Sequence, residues 1–326
     1  MNAWPTTLRT IRWMVRDTFR QSLASRLLWV MFGLTLLCVA FTGSVRIDGD
    51  EPLQRHPYEL PLYLPAGQGA DGIPEPRGEV ALGFGLVKYP VRKSRDDSVR
   101  ELQLWLAGVA ADTVGVLLAL LWTAGFLPTF LEPQAITVLL AKPASRSAIL
   151  AGKYVGVVLF VALQALLFVG GTWLGLGITT GVWEIHYWLA VPLLVVNFAV
   201  FYAVSAFLAV VTRSTVVSIF GTLLFWILCW AMNFTYLRLM AFPLEGLTPL
   251  ASLLVEAGYW VLPKPLDMSG IFFEAMNAAA YTAPVPEVEA VWAQGGFQPE
   301  LSVLSSLAFA AATLGLSAYE FRTMDY

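Results

Sequence analysis

Runs of about 20 apolar residues recur along the chain, separated by segments rich in charged residues, proline and glycine. A helix needs about 20 such residues to cross the roughly 30 Å hydrocarbon core of a bilayer. Six runs meet this length, and they predict transmembrane helices at residues 27–44, 104–127, 154–178, 187–211, 216–236 and 301–318. The pattern therefore predicts an all-α integral membrane protein in which residues 1–326 form a single transmembrane domain.

Residues 4–20, which precede the first run, have the periodicity of an amphipathic helix. At 100° per residue, Arg9, Arg12, Arg16 and Arg20 fall within one narrow arc. The opposite arc is apolar and carries Trp4, Leu8, Ile11, Met14, Val15 and Phe19. This pattern predicts an N-terminal helix that lies in the membrane interface. A simpler interpretation, in which the arginines only fix the orientation of the chain, explains them equally well.

Two loops of about 60 residues, 45–103 and 237–300, are rich in proline, glycine and acidic residues, and they follow the first and the fifth run. They should therefore share one side of the membrane. The segments of the other side, which include both termini, hold ten Lys and Arg against four acidic residues, whereas the side of the loops holds ten against 18. Because cytoplasmic segments keep an excess of Lys and Arg, we expect cytoplasmic termini and extracytoplasmic loops.

Both loops contain segments with a pattern of their own. Residues 79–91 alternate like a short strand around Gly83 and Gly85, so the first loop is expected to fold in part. In the second loop, residues 249–262 are apolar apart from Glu256. This run is too short to cross the bilayer and predicts a re-entrant or interfacial segment.

Composition supports a membrane protein and argues against an enzyme. The chain has 57% hydrophobic and 13% charged residues and a mean hydropathy of +0.67, whereas soluble domains carry about a quarter charged residues. It contains two histidines and none of the common hydrolase or zinc motifs. Its one Gly-Lys pair, Gly152-Lys153, is followed by Tyr154 and is not a phosphate loop. We therefore predict no catalytic residue, no metal, no cofactor and no nucleic-acid partner.

Three polar residues within the predicted helices are candidates for a transport path. Asp112 is the only ionisable residue well inside a run, and Gln164 and Asn197 lie near the middle of the third and fourth runs. A charge at the bilayer centre costs about 2.5–3.5 kcal/mol on insertion scales, so such residues commonly have a function. Hydrogen bonds between helices are the more common reason for buried amides, and for Asp112 too we favour a structural hydrogen bond over a role in transport.

The segment between the second and third runs carries the most specific pattern. Its distinctive residues are Glu132, Leu139, Leu140, Lys142, Pro143, Ser145, Arg146, Gly152 and Lys153. This order of residues resembles the inner loop of the type 2 export class of ATP-binding-cassette permeases. The six helices, the two long loops and Phe321-Arg322 after the last helix extend the resemblance over nearly the whole chain. Many members of that class have a Gly-Thr pair soon after the glutamate, where this chain has Pro133-Gln134.

The resemblance implies a permease subunit of an ATP-driven exporter in a bacterial cytoplasmic (inner) membrane. Such a subunit forms a homo- or heterodimer and binds a separate cytoplasmic ATPase. Residues 128–153 would then form the coupling loop, with Glu132, Lys142, Pro143, Ser145, Arg146, Gly152 and Lys153 as its site residues. Pro143 marks a break, and Ser145 is suited to cap a helix over 146–153.

Two alternatives stay open on the residues alone. The basic residues of this loop could serve only as positive-inside anchors. The runner-up to a permease is a membrane scaffold or assembly protein that transports nothing, in which the two outer loops bind a partner, and a membrane enzyme is a third and less favoured class. The substrate cannot be read from apolar helices with so few polar residues.

Overall fold

Long helices dominate the part of the chain that the computed structural model describes, namely residues 4–49, 78–91, 93–130, 145–242, 248–282, 290–292 and 297–323. Five runs are long and apolar enough to cross a membrane: Arg95–Thr129, Arg146–Thr180, Ile185–Thr212, Thr215–Ala241 and Pro299–Thr323. A bent pair of helices, α1 (Trp4–Ala24) and α2 (Arg26–Ser44), supplies the sixth candidate, with 74° between its two arms. The prediction of an all-α membrane protein with about six spans is confirmed.

The run that contains Asp112 changes its helical geometry part of the way along. It begins as α3 (Arg95–Leu104), continues as a π-helical segment (Trp105–Gly115), and returns to α geometry in α4 (Val116–Thr123) and α5 (Phe126–Phe130). Ser94 caps its start by accepting a 3.2 Å hydrogen bond from the Asp97 amide. Long π-helical segments are rare and often occur at functional sites.

The third run is one helix of 35 residues, α6 (Arg146–Thr180). Ser145 caps it as predicted, with its Oγ accepting from the Ala148 amide at 3.3 Å. Gly181 follows it in the left-handed region, with φ of +75°, which is a common helix end. The helix predicted over 146–153 forms the first two turns of α6, which continues without a break into the predicted third span.

The described residues also form three further long helices and two short ones. They are α7 (Ala190–Thr212), α8 (Thr215–Ala241), α9 (Pro249–Val261), α10 (Pro265–Ala275) and α11 (Pro299–Thr323). Helix α7 is central, because it contacts α4, α6, α8 and α11 and buries both faces. The apolar run predicted at 249–262 forms α9, and α10 follows it directly. Both helices are too short to cross the bilayer, and both pack against α8 and α11.

Contacts between helix ends sort the chain into two sides. On one side, which we call the terminal side, Trp122 Nε1 donates to Ser25 Oγ at 2.9 Å and α1 packs along the start of α6. The end of α11 also lies there, at Arg146. On the other side, the start of α3 contacts both the segment after α6 and the turn Ala278–Ala280.

The second side also carries a three-stranded antiparallel sheet, and we call it the sheet side. Strand β1 (Arg46–Gly49) continues directly from α2, and β2 (Gly78–Leu82) pairs with both β1 and β3 (Val87–Val91). Val45 and Ile47 pack with Val99, Leu106 and Leu176, which fixes the sheet to the ends of two membrane helices. The strand pattern predicted at 79–91 therefore corresponds to a hairpin.

Candidate functional site

Helix α1 lies against α6 through two glycines that have no room for a side chain. A Cβ at Gly152 would lie 2.8 Å from the Met14 Cβ, and one at Gly156 would lie 2.9 Å from the Thr18 Oγ1. Met14 and Thr18 are fully buried at this contact, whereas the arginines of α1 are exposed. The predicted amphipathic helix thus has its inner face on α6.

Lys153, one of the predicted coupling residues, is buried in the same contact. Its side chain is 1% exposed, its Nζ donates to Gln21 Oε1, and the Asp17 carboxylate lies 3.9 Å away. The ammonium also faces the ring of Phe126 at 5.8 Å. Lys153 therefore joins α1, α5 and α6, and a soluble partner could reach it only through those helices.

Arg146 joins the start of α6 to the end of α11. Its Nη1 donates to the carbonyl oxygens of Phe321 and Arg322 at 3.5 and 3.3 Å. Arg322 Nη2 returns a 3.0 Å bond to Ser147 Oγ. Carbonyls in the last turn of a helix lack intrahelical donors, and a cation there also interacts favourably with the helix dipole. The pair couples the third and sixth membrane helices on the terminal side.

Three of the predicted coupling residues, Glu132, Lys142 and Pro143, fall outside the described part of the chain. Phe130 and Ser145, which flank that segment, end span two and begin span three on the terminal side. A Cβ built at Gly125, in the turn before α5, would lie 3.6 Å from the Thr215 Cγ2 at the start of α8. The described residues on either side of the segment thus lie at the ends of spans two and three, and α1 and the end of α11 contact the start of α6.

Two of the three candidate path residues lie together. Asp112 Oδ1 accepts from Asn197 Nδ2 at 2.6 Å, and Asp112 Oδ2 accepts from Ser269 Oγ at 2.9 Å. These bonds join the π-helical segment, α7 and α10. The buried Asn197 Oδ1 has no hydrogen-bond partner among the described residues. The carboxylate is thus satisfied by donors from two helices, and one amide oxygen beside it is left for another donor.

Gln164 lies apart from that pair. Its Nε2 donates to Thr35 Oγ1 at 2.7 Å and to the Met31 carbonyl at 3.4 Å, which joins α6 to α2. Next to these bonds lies an apolar cavity of about 260 Å³ between α2, α6 and the π-helical segment. Gln164 therefore has the interhelical contact that is common for amides in membrane helices.

The sequence analysis missed a polar cluster centred on Asp267. Asp267, at the start of α10, accepts from Asn233 Nδ2 at 2.8 Å, from Tyr259 OH at 2.6 Å and from Ser302 Oγ at 2.6 Å. Asn233 Oδ1 in turn accepts from the amides of Leu266 and Asp267. The cluster joins α8, α9, α10 and α11. The only sequence signal was an aspartate following the Pro263 and Pro265 break, in a loop where acidic residues are common.

A buried lysine adjoins this cluster. Lys264 Nζ donates to Ser305 Oγ at 2.6 Å and lies over the rings of Tyr259 and Trp260 at 4.8 and 5.2 Å. Burial lowers the pKa of Lys264, and the nearby Asp267 carboxylate opposes that shift. Together the two charges hold the α9–α10 pair onto α8 and α11.

A third polar group lies on the sheet side. Glu184 accepts from Arg100 Nε at 2.7 Å, and its other oxygen is 2.7 Å from His186 Nδ1. Burial alone would raise the pKa of Glu184, but the hydrogen bonds from His186 and the charge and hydrogen bond of Arg100 give a net lowering. This ion pair joins the start of α3 to the turn between α6 and α7.

The described residues contain no group of three or more His, Cys, Asp or Glu side chains that could hold a metal ion. A family model described as ABC-2 family transporter protein matches residues 12–326. No curated protein matches the chain.

Proposed function

The chain belongs to the ABC-2 transporter family and is a membrane-spanning permease component of an ABC transporter, and from that premise we propose that it exports its substrate in a complex with a separate cytoplasmic ATPase. The observation that carries the proposal is the arrangement on the terminal side. There the described residues of the predicted coupling segment from Ser145 to Lys153 start α6 and contact α1 and the end of α11.

The proposed coupling works through rigid contacts rather than through a free loop. An ATPase that moves residues 131–145 displaces the start of α6, and the close packing at Gly152 and Gly156 makes α1 move with it. Arg146 transmits the same displacement to the end of α11. Because α6 is continuous to Thr180, movement on the terminal side reaches the Glu184 ion pair on the sheet side.

Orientation and assembly belong to the same proposal. The exposed arginines of α1 favour a terminal side that faces the cytoplasm of a bacterial cell, with the sheet and the α9–α10 pair outside. Helix α8 exposes Phe220, Leu224 and Ile227 and has the smallest buried share among the five candidate spans, which fits a face for lipid or for a second permease chain. We propose a dimer of identical or similar chains that encloses one path.

Asp112 and Asn197 are the proposed polar residues of the path. They join the π-helical segment to the central helix α7, and Asn197 retains an unpartnered oxygen. Gln164 is proposed to stabilise the contact of α2 with α6 and to have no direct role in transport.

The test is co-purification with an ATPase that carries a phosphate loop and is encoded beside this chain, followed by ATP turnover in nanodiscs. Arg146→Glu places an anion against two carbonyls at the end of α11 and should lower the ATP turnover of the complex and its recovery. The matched control is Arg46→Glu, an exposed arginine at the start of β1 on the sheet side. Equal recovery and turnover for the two variants would remove Arg146 from coupling. If no ATPase binds the wild-type chain, a scaffold without transport becomes the better hypothesis.

A further inference from the structure

The hairpin between β2 and β3 ends in the two most exposed large apolar side chains of the described residues. Phe84 is 80% exposed and Leu86 is 90% exposed. Neighbouring Val80 and Leu82 point the other way and pack with Ile47 on the sheet's inner face. The side chains of the hairpin that face the core are therefore already packed in it, and Phe84 and Leu86 are not part of that core.

Hydrogen bonds fix the position of this turn relative to the end of α2. The amides of Gly83 and Phe84 donate to Ser44 Oγ and to the Ser44 carbonyl oxygen, both at 3.2 Å. Ser44 is the last residue of α2, the first membrane-spanning helix. Strand β1 leaves that helix end and β2 returns antiparallel to it, with Arg46 opposite Ala81. The turn at 83–86 therefore lies level with the end of the span.

The backbone of the turn adopts a conformation that disfavours phenylalanine. Gly83, Phe84 and Gly85 have φ of +61°, +59° and +93°. Glycine tolerates this region freely, whereas a bulky residue there is uncommon and costs conformational energy. In a turn that faced water, glycine or asparagine would be favoured at the central position. A strained, exposed phenylalanine at the membrane surface points to an apolar contact that compensates for the strain.

We propose that Phe84 and Leu86 insert into the lipid leaflet on the sheet side and anchor the hairpin to the bilayer. Apolar side chains at the level of a helix end meet the boundary between headgroups and acyl chains, where their transfer out of water is favourable. The lipid-facing surface of α2 continues to that level, since Leu37 and Phe41 are 65% and 39% exposed. This inference concerns the bilayer as a partner of the sheet and does not depend on ATP coupling.

The test measures the depth of a probe at the turn. Leu86→Cys is compared with Glu79→Cys, which lies near the other end of the same hairpin, about 10 Å further along β2. Both are made in a Cys38→Ala, Cys229→Ala background, labelled with an environment-sensitive fluorophore and reconstituted in nanodiscs. Quenching by lipids with a nitroxide near the headgroup is compared with quenching by aqueous iodide.

At position 86 we expect lipid quenching several-fold stronger than at position 79, and iodide quenching several-fold weaker. A label at 86 that iodide reaches as readily as the label at 79 overturns the proposal. Protection from both quenchers also overturns it, because protein would then cover the turn. A photoreactive residue at position 86 in the wild-type cysteine background provides a second readout, with lipid cross-links expected and protein cross-links refuting the assignment.

Discussion

The Asp267 cluster allows a quantitative test of what holds α9 and α10 in place. Asp267→Leu removes the acceptor for Asn233, Tyr259 and Ser302. The Ser302 hydroxyl can turn to a carbonyl of its own helix, and the Tyr259 hydroxyl keeps a weak partner in Ser302 Oγ at 3.4 Å. Loss of the acceptor for the Asn233 amide costs about 1–3 kcal/mol and the weakened Tyr259 hydrogen bond about 1 kcal/mol, so the sum is about 2–4 kcal/mol. Relief of the desolvation cost of a buried carboxylate reduces this, and we expect a loss of about 1–3 kcal/mol.

The conservative change separates the hydrogen bonds from the charge. Asp267→Asn keeps one acceptor oxygen, and its NH₂ can donate to a hydroxyl that now accepts, so we expect a loss of about 1 kcal/mol. Glu274→Leu is the control, since it removes an exposed carboxylate from the same helix. Stability is measured as the midpoint of thermal unfolding of the purified chain in nanodiscs. If Asp267→Leu and Glu274→Leu lowered the midpoint equally, the cluster would not be what secures the α9–α10 pair.

Three further predictions concern other contacts. Gly156→Ala should destabilise the chain by about 1–3 kcal/mol, because the new methyl meets Thr18, whereas Gly315→Ala, with nothing within 4 Å, should be neutral or stabilising in the same unfolding assay. Because the pKa of Glu184 is lowered in the folded protein, its contacts contribute stability above its unfolded pKa of about 4.5, and this stability is lost as the pH falls through the lower folded value. Glu184→Gln should therefore make the unfolding midpoint less dependent on pH below about 4.5. An unchanged pH dependence would contradict this. Asp112→Asn should leave membrane insertion and assembly intact, as judged by size-exclusion chromatography of the purified chain. A transport assay then decides whether the carboxylate lines the path. Failure of the variant to assemble would make the role of Asp112 structural.

Properties that depend on one stretch of chain could be read from the sequence. Crossing a bilayer requires about 20 apolar residues in a row, so the number of spans and the too-short run at 249–262 were visible without any tertiary information. The arginine arc of α1 and the strand-like stretch around Gly83 and Gly85 are also local patterns, with periods of 3.6 and 2 residues, although the hairpin that this stretch forms was not predicted. Ser145 was recognised as a helix cap because a cap bonds to residues within the next turn.

Contacts between distant residues could not be read in this way. Lys153 and Arg146 lie in a basic segment that looks exposed, yet their partners are 132 and 175 or 176 residues away, in α1 and at the end of α11. Asp112 meets a serine 157 residues later. No local window contains both members of such a pair.

The sequence by itself determined that this chain is a membrane protein, how many times it can cross the bilayer and which segments are amphipathic. The reason is that the free energy of transfer from water to hydrocarbon is nearly additive over the residues of a helix. The tertiary structure decided which polar groups are satisfied and which helix ends meet. Helices with similar apolar surfaces can pack in several ways, and packing and hydrogen bonds between helices select one of them. A single close contact, such as Gly156 against Thr18, or a single carboxylate, such as Asp267, is enough to favour one arrangement.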